Sequence, residues 1–197
     1  ICSGLVGSEM CIRDRASVDE DACAKDKILA TIFEKPSTRT RFSFETAMYQ
    51  LGGKTIYANM SDMQLGRGET IEDTAKVISR YVDVAVLRTN KHSTLESFAK
   101  NASIPVINGL TNKSHPCQVL ADLITVKEHI GDIENKSYVW FGPANDMLTS
   151  WIHAAQIIGF ELRICSPKDY SVENNLVSGF PNIIIDLDPN DAAKDSD

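Results

Sequence analysis

The sequence predicts an α/β fold in which a parallel sheet is flanked by helices, followed by an incomplete second α/β domain. Three observations support this. Short apolar runs rich in β-branched residues alternate with segments of helical periodicity, the loops between them are short, and the same alternation begins again after Gly131-Asp132. Such alternation is typical of βαβ units, whose strands run parallel and are covered by helices on both faces.

The elements of the first domain follow in order. Its strands are predicted at Ile28–Phe33, Thr55–Ala58, Val82–Leu87 and Ile104–Asn108. Pro36 breaks the first run, and Ser37 is a suitable N-cap for a helix that Gly52-Gly53 ends. Capping boxes are predicted at Thr70–Asp73 and Ser93–Glu96, and Pro116 stands at an N1-like position.

The second domain begins with a predicted strand at Ser137–Phe141 and a helix at Met147–Gly159. Further strands are predicted at Leu162–Cys165 and Ile183–Ile185, and Asp188-Pro189 marks the start of another helix. We therefore assign one domain to residues 25–131 and a partial one to 132–197. Residues 1–24 show no clear hydrophobic period. We leave them unassigned and consider that they could be an artefact. The initial Ile and a second sheet that stops in mid-pattern lead us to expect truncation at both ends.

Composition excludes several classes of protein. Of the 197 residues, 43% are apolar and 24% charged, as in a soluble globular protein. The net charge of −7 argues against a nucleic-acid partner, and no apolar run is long enough to span a membrane. Five cysteines without a Cys-x-x-Cys pair indicate reduced thiols and a cytoplasmic location. The four histidines are scattered singly, so we expect neither a metal nor another cofactor.

Hydrogen-bond donors follow three of the predicted strands. Ser37–Arg41 follows the first strand at a helix start, Arg88 closes the third, and His115–Gln118 follows the fourth at another helix start. Ligands of open parallel sheets bind outside the carboxyl ends of the strands, and helix starts favour anions. Each group alone has an ordinary explanation: a capped helix with solvated arginines, a solvated strand end, and a surface histidine. Their common position favours an anion site.

Three motifs carry a resemblance to a known family. F-E-K-P-S-T-R-T-R-F-S-F-E, D-V-A-V-L-R and H-P-C-Q occur in this order. Together they resemble the aspartate/ornithine carbamoyltransferase family, and Lys35 in F-E-K-P is more similar to the ornithine branch. The resemblance runs from about Lys27 to Asp197. It implies transfer of the carbamoyl group of carbamoyl phosphate to the side-chain amine of L-ornithine, giving citrulline and phosphate in arginine biosynthesis.

The resemblance also implies roles for individual residues. The residues that it implies bind carbamoyl phosphate are Ser37, Thr38, Arg39, Thr40, Gln64, Arg88, His115 and Gln118. Among them Thr40, Arg88 and His115 would stabilise the oxyanion and so act in catalysis. Gln64 would reach the site of a neighbouring subunit in a homotrimer. No covalent intermediate is needed, so Cys117 is interpreted as a packing residue.

The amine acceptor is left open by the sequence. The ornithine enzymes have a loop like G-D-G-N-N, whereas Asp146 stands here at the second Asn; an Asp there would favour an α-amino group and repel an α-carboxylate. The motifs Asp-x-x-x-Ser-Met-Gly and His-Cys-Leu-Pro do not occur, so we expect the 197 residues alone to have no turnover. The alternatives are a carbamoyltransferase for putrescine, an acylated ornithine or aspartate, and a non-catalytic anion-binding fragment. A nucleotide-binding protein is disfavoured, because Gly142-Pro143-Ala144 does not match G-x-G-x-x-G.

Overall fold

The computed structural model describes residues 23–65, 68–185 and 188–197, which form two compact units. The first unit ends at Thr111. Its elements are β1 Ile28–Phe33, α1 Thr38–Gln50, β2 Lys54–Asn59, α2 Ile71–Ile78, β3 Val84–Arg88, α3 His92–Asn101 and β4 Val106–Leu110. A short 3₁₀ turn, Met60–Asp62, follows β2. The prediction for residues 1–22 lies outside the described residues.

A parallel sheet of order β2-β1-β3-β4 forms the centre of the described part of this unit. Strand β1 has the predicted bounds, because an apolar run buried on both faces has a clear signature in the sequence. Helices α2 and α3 cover one face, where Ala75, Leu87 and Phe98 share a core. Helix α1 covers the other through Met48, which packs with Phe33 and Val86. The predicted α/β fold is confirmed.

The second unit runs from Asn112 to Asp197. Its elements are α4 Pro116–His129, β5 Ser137–Phe141, α5 Asp146–Ile158, β6 Glu161–Cys165, α6 Asn174–Val177, β7 Ile183–Ile184 and α7 Pro189–Ala193. Within its described residues, β5, β6 and β7 form a parallel sheet in that order. Its core joins Phe160, Leu162 and Ile164 to Leu148 and Ile152 of α5. Gly159 ends α5 in a left-handed conformation with a φ of 93°, which glycine adopts without strain.

Several details differ from the sequence predictions. Strands β3 and β4 begin two residues later than predicted and end one and two residues later, respectively. The capping box predicted at Ser93 is wrong: Lys91 is the extended flanking residue of α3, so Ser93 already lies inside the helix, and the Thr94 N–H bonds the Lys91 carbonyl at 3.2 Å. The two compact units also divide before α4, whereas the predicted domain boundary follows Gly131. Val119 and Leu123 of α4 belong to the core of the second unit, which explains this division.

Among the residues that the structure describes, no helix is both long and apolar enough to cross a membrane.

Candidate anion and carbamoyl site

The carboxyl ends of β1, β3 and β4 lie side by side in the first unit. Arg88 pairs in register with Phe33 of β1 and with Leu110 of β4. The Arg88 Nη1 donates a hydrogen bond to the Thr40 Oγ1 at 3.2 Å, so the last residue of β3 meets the first turn of α1. Two of the three residues assigned to catalysis are therefore in contact.

Helix α1 begins beside this pair, and within the described residues no side chain caps its N-terminus. Ser37 occupies the N-cap position as predicted, but its hydroxyl makes no capping hydrogen bond within the described structure. The first turn, all of it described, contains no acidic residue. Thr38 and Arg39 are exposed, and Ser37 and Thr40 are partly buried. The first backbone N–H groups, two hydroxyls and the Arg39 guanidinium are thus available to an anion at the positive end of the helix dipole.

The two arginines of S-T-R-T-R have different surroundings. The Arg41 Nε donates to Glu45 Oε1 at 2.8 Å, and its guanidinium carbon lies 3.6 Å from the centre of the Tyr57 ring. A guanidinium that is paired with a carboxylate and stacked on an aromatic face contributes to stability. Arg39 has an exposed side chain on the same turn as Thr38 and Thr40. The geometry gives Arg41 a structural role and leaves the Arg39 side chain exposed; that Arg39 binds the anion stays a prediction.

Glu34 holds the loops after β1 and β3 together, which the sequence analysis did not anticipate. Its carboxylate accepts hydrogen bonds from the Asn90 backbone N–H, at 2.6 Å, and from the Asn90 side-chain amide. The Glu34 N–H also donates to the Arg88 carbonyl at 2.8 Å. These contacts fix the backbone from Arg88 to Asn90. No sequence signal beyond the motif itself indicates the partner, because Glu34 and Asn90 are distant in the chain.

Strand β4 contains an irregularity next to the site. Its register with β3 shifts between Leu87 and Arg88, and the Asn108 Oδ1 accepts a hydrogen bond from the Leu110 N–H at 3.0 Å. Leu110 has a φ of 149°, a strained value for a residue with a side chain. A Cβ at Gly109 would lie 2.8 Å from a Val86 methyl carbon, so only glycine fits. Bulges commonly re-aim residues beside functional sites.

His115 lies in the second unit, at the start of α4. Its backbone N–H donates to the Ser150 Oγ at 2.7 Å, and the Ser150 hydroxyl donates to the Asp146 carbonyl at 2.8 Å. Asp146 is the first residue of α5, whose start is capped by the Asn145 side chain. Ser150 therefore connects the residue expected to contact the carbamoyl group with the one expected to contact the amino acid. Ser150 could not be found from the sequence, because a serine in the middle of a helix gives no signal there.

Gln118 lies one turn into α4. Its Nε2 donates to the Asp122 Oδ1 at 2.9 Å, and both side chains are partly buried. Burial raises the pKa of the Asp122 carboxyl, and the hydrogen bond from Gln118 partly offsets this. Burial also raises the pKa of the Cys117 thiol. A thiol with a raised pKa stays protonated at neutral pH, which agrees with a packing role for Cys117.

Each unit thus contains some of the residues predicted to bind the ligands. Ser37, Thr38, Arg39, Thr40 and Arg88 share the open edge of the first sheet. His115, Gln118 and Asp146 belong to the second unit. Gln64 is exposed between β2 and α2, next to the bridge between Leu65 and Glu69. That all these residues serve one site stays a prediction.

Comparison with known proteins decides the family. The model described as "Aspartate/ornithine carbamoyltransferase, carbamoyl-P binding domain" matches residues 8–128, more than half of the chain. The chain belongs to this family. The match ends within α4, close to the domain boundary predicted after Gly131, although α4 packs in the core of the second unit.

Individual family members agree with this assignment. Ornithine carbamoyltransferase of Caulobacter vibrioides is 55% identical over 159 residues, which cover 81% of this chain and 51% of the relative. The crystal structure of ornithine carbamoyltransferase from Burkholderia thailandensis matches with a TM-score of 0.86 and 44% identity, over 99% of this chain and 68% of that one. The corresponding protein of Pyrococcus furiosus gives 0.86 and 39%, over 99% and 65%. The chain therefore spans about half the length of the curated relative it matches.

Proposed function

We propose that this carbamoyltransferase-family protein transfers the carbamoyl group of carbamoyl phosphate to the side-chain amine of L-ornithine, giving citrulline and phosphate. The observation that carries the proposal is the contact between Arg88 and Thr40 beside the uncapped, acid-free start of α1. This arrangement offers converging donors to an acyl phosphate, and the chain's family and its similarity to ornithine carbamoyltransferases supply the reaction class.

The chemistry follows from where charge develops. Ser37, Thr38, Arg39 and the first N–H groups of α1 bind the phosphate, and Thr40, Arg88 and His115 donate to the carbamoyl oxygen. The neutral amine attacks the carbamoyl carbon, a C–N bond forms, and the oxygen gains negative charge. The C–O bond to phosphate then breaks, the carbonyl re-forms, and the phosphate leaves with the bonding electrons and takes up the proton that the nitrogen loses. In other enzymes each oxyanion donor lowers the activation free energy by about 3–4 kcal/mol.

Asp146 is the residue we assign to the acceptor amino acid. Its carboxylate lies at the start of α5, and Ser150 ties its carbonyl to the His115 backbone. An Asp at this place favours an α-amino group and repels an α-carboxylate. Putrescine, an acylated ornithine and aspartate therefore remain the alternative acceptors.

The remaining assignments rest on the family. We assign carbamoyl-phosphate binding to residues 25–131 and ornithine binding to 132–197. A homotrimer, in which Gln64 reaches a neighbouring subunit, and a cytoplasmic location belong to the same proposal. Gln64 is exposed in the single chain. This exposure is consistent with a residue that reaches a neighbouring subunit.

The proposal is tested in two steps. Calorimetry measures whether the chain binds phosphonoacetamide, a stable analogue of carbamoyl phosphate, and whether Arg39→Ala abolishes binding. A chimera that continues the chain with the unmatched part of the Caulobacter vibrioides relative is then assayed for citrulline formation. Citrulline from the chimera, and none from its Arg39→Ala variant, is the expected result. Binding without turnover of ornithine, putrescine, N-acetylornithine or aspartate would leave the non-catalytic anion-binding function instead.

A further inference from the structure

A cavity of about 420 Å³ opens at the carboxyl edge of the first sheet, on the face that α2 and α3 cover. It lies entirely within the first unit, where the segments after β1 and β2 meet the starts of α2 and α3. None of the residues that line it is among the predicted ligands of carbamoyl phosphate. A cavity of this volume has room for a small organic ligand.

One wall of the cavity is apolar. It is formed by Met60, Leu65 and Ile71, all partly buried. Met60 and Ile71 also pack against the core that lies beneath α2 and α3, so this wall is continuous with the core. An alkyl chain that lies on the wall removes apolar surface from water, which favours its binding.

The rest of the lining provides hydrogen-bond acceptors and negative charge. Glu34 and Glu69 contribute carboxylates, and Ser61 and Thr94 contribute hydroxyls. Among the lining residues, all of them described, none is basic, and neither carboxylate forms an ion pair within the described part of the chain. A concave site lined by charge of one sign concentrates ions of the opposite sign. The cavity therefore favours a ligand with a cationic head and an apolar chain.

We propose that this cavity binds a small alkylguanidinium ion, whose N–H groups bond the Glu34 and Glu69 carboxylates and whose alkyl chain covers the apolar wall. The acceptors belong to four separate segments of the chain, more than the three donors of an alkylammonium can serve, whereas an alkylguanidinium has five N–H donors. Its planar fork also matches a carboxylate with two parallel hydrogen bonds. The inference is independent of the proposed function, because the two sites share no predicted ligand residue.

Calorimetry with the full chain at neutral pH measures the binding of butylguanidinium. Wild type should bind it with a Kd of about 1 mM or tighter, a value that suits so small a ligand. Butylammonium lacks the planar fork and should bind about fivefold more weakly. The guanidinium ion without its alkyl chain should bind about tenfold more weakly. Butanol, which carries no charge, should show no binding.

Three variants locate the site. Glu69→Gln removes one charge but keeps an oxygen that can accept the 3.0 Å hydrogen bond from the Thr74 hydroxyl, and it should weaken butylguanidinium about tenfold. Glu72→Gln removes the same charge from an exposed position outside the cavity and should leave the affinity unchanged. Ser61→Lys places a cation at an exposed position of the lining and should abolish binding. Should Glu69→Gln fail to fold, Ser61→Lys decides the question.

The outcomes that overturn the proposal are distinct. Absence of binding by wild type overturns it, and so does equal affinity of wild type and Glu69→Gln. Equal losses in Glu69→Gln and Glu72→Gln would mean that the ligand responds only to the net charge of the chain. Butanol binding as tightly as butylguanidinium would leave only an apolar groove. Phosphonoacetamide titrated into the same samples tests the proposed function separately, so either proposal can fail while the other stands.

Discussion

Two helices of the first unit begin in opposite ways. At the start of α2, the Thr70 Oγ1 accepts a hydrogen bond from the Asp73 N–H at 3.1 Å, and Glu72 and Asp73 lie in the first turn. At the start of α1, within the described residues, Ser37 makes no such bond and no acidic residue follows. Both starts have unpaired N–H groups and a positive dipole end. The chain satisfies one of these groups with a side-chain cap at α2, whereas no side chain caps the start of α1 within the described residues.

The largest effect is expected at the open start. Under the proposed function, Arg39→Ala removes a charge-assisted contact to the phosphate and should weaken phosphonoacetamide binding by about tenfold to a hundredfold. Arg41→Ala is the matched control, since Arg41 is held by Glu45 and Tyr57. It should lower the unfolding temperature and leave the affinity within about twofold. Calorimetry and thermal unfolding measure the two quantities, and the reverse pattern would assign the anion to Arg41.

At a third helix start, that of α4, the side chain of Ser150 on α5 accepts a backbone hydrogen bond. Ser150 is 4% exposed and accepts the hydrogen bond from the His115 N–H. Ser150→Ala leaves this N–H without its partner and should cost about 1–3 kcal/mol of unfolding free energy. Thr149→Ala, which removes an exposed hydrogen bond from the Thr149 hydroxyl to the Asn145 carbonyl, should cost less than half of that. Urea unfolding of both variants provides the test, and equal costs would contradict a special role for Ser150.

One substitution at each helix start tests the difference between the capped start of α2 and the uncapped start of α1. Thr70→Ala removes a cap and should lower the unfolding free energy by about 1 kcal/mol, with unchanged affinity for phosphonoacetamide. Ser37→Ala removes a hydroxyl that caps nothing, so it should leave stability within about 0.5 kcal/mol and weaken binding about fivefold. If both variants lose only stability, α1 begins as an ordinary capped helix and the proposed phosphate site is wrong.

The smallest expected effect is a pH dependence of the unfolding free energy that arises at the capped start of α2. A hydrogen bond from the Ser97 hydroxyl, followed by the Glu72 backbone N–H, lowers the pKa of the Glu72 carboxyl below 4.5. A lowered folded-state pKa adds stability that is present above about pH 4.5 and is lost as the pH falls through the folded-state value. Wild type should therefore exceed Glu72→Gln in urea midpoint at pH 7, and the gap should shrink as the pH falls below about 4.5. Ser97→Ala should reduce the gap at pH 7, and a gap that does not change with pH would contradict this origin.

Much of the fold was predictable because its signals are local. The run Ile28–Phe33 is continuous, and Pro36, Ser37 and Gly52-Gly53 mark the limits of the following helix in the sequence itself. The β5 strand has the predicted bounds for the same reason. The residues of the open edge were also predictable, because the carboxyl ends of parallel strands meet at one edge.

The features that the sequence did not reveal depend on long-range contacts or on burial. Ser37 and Thr70 are equally good caps by residue type, and only the structure shows which hydroxyl is used. Glu34 and Asn90 meet across two neighbouring strands, which no spacing indicates. Gln118 and Asp122 look like a common surface pair until the burial of Asp122 is known. The division of the units depends on where α4 packs, which its amphipathic pattern does not specify.

The hydrogen bond between Arg88 and Thr40 has a consequence for how this protein folds. The two residues are 48 positions apart, and they meet only after β1 and β3 have paired across the intervening α1, β2 and α2. Non-local parallel pairing is slow, so we expect the contact between Arg88 and Thr40 to form late, after the chain has committed to its topology. A nascent chain that has emerged only as far as α2 carries the whole S-T-R-T-R motif and still lacks the guanidinium beside it. Under the proposed function, the ligand then binds the completed unit and draws the folding equilibrium towards it, so that the supply of carbamoyl phosphate sets part of this protein's stability.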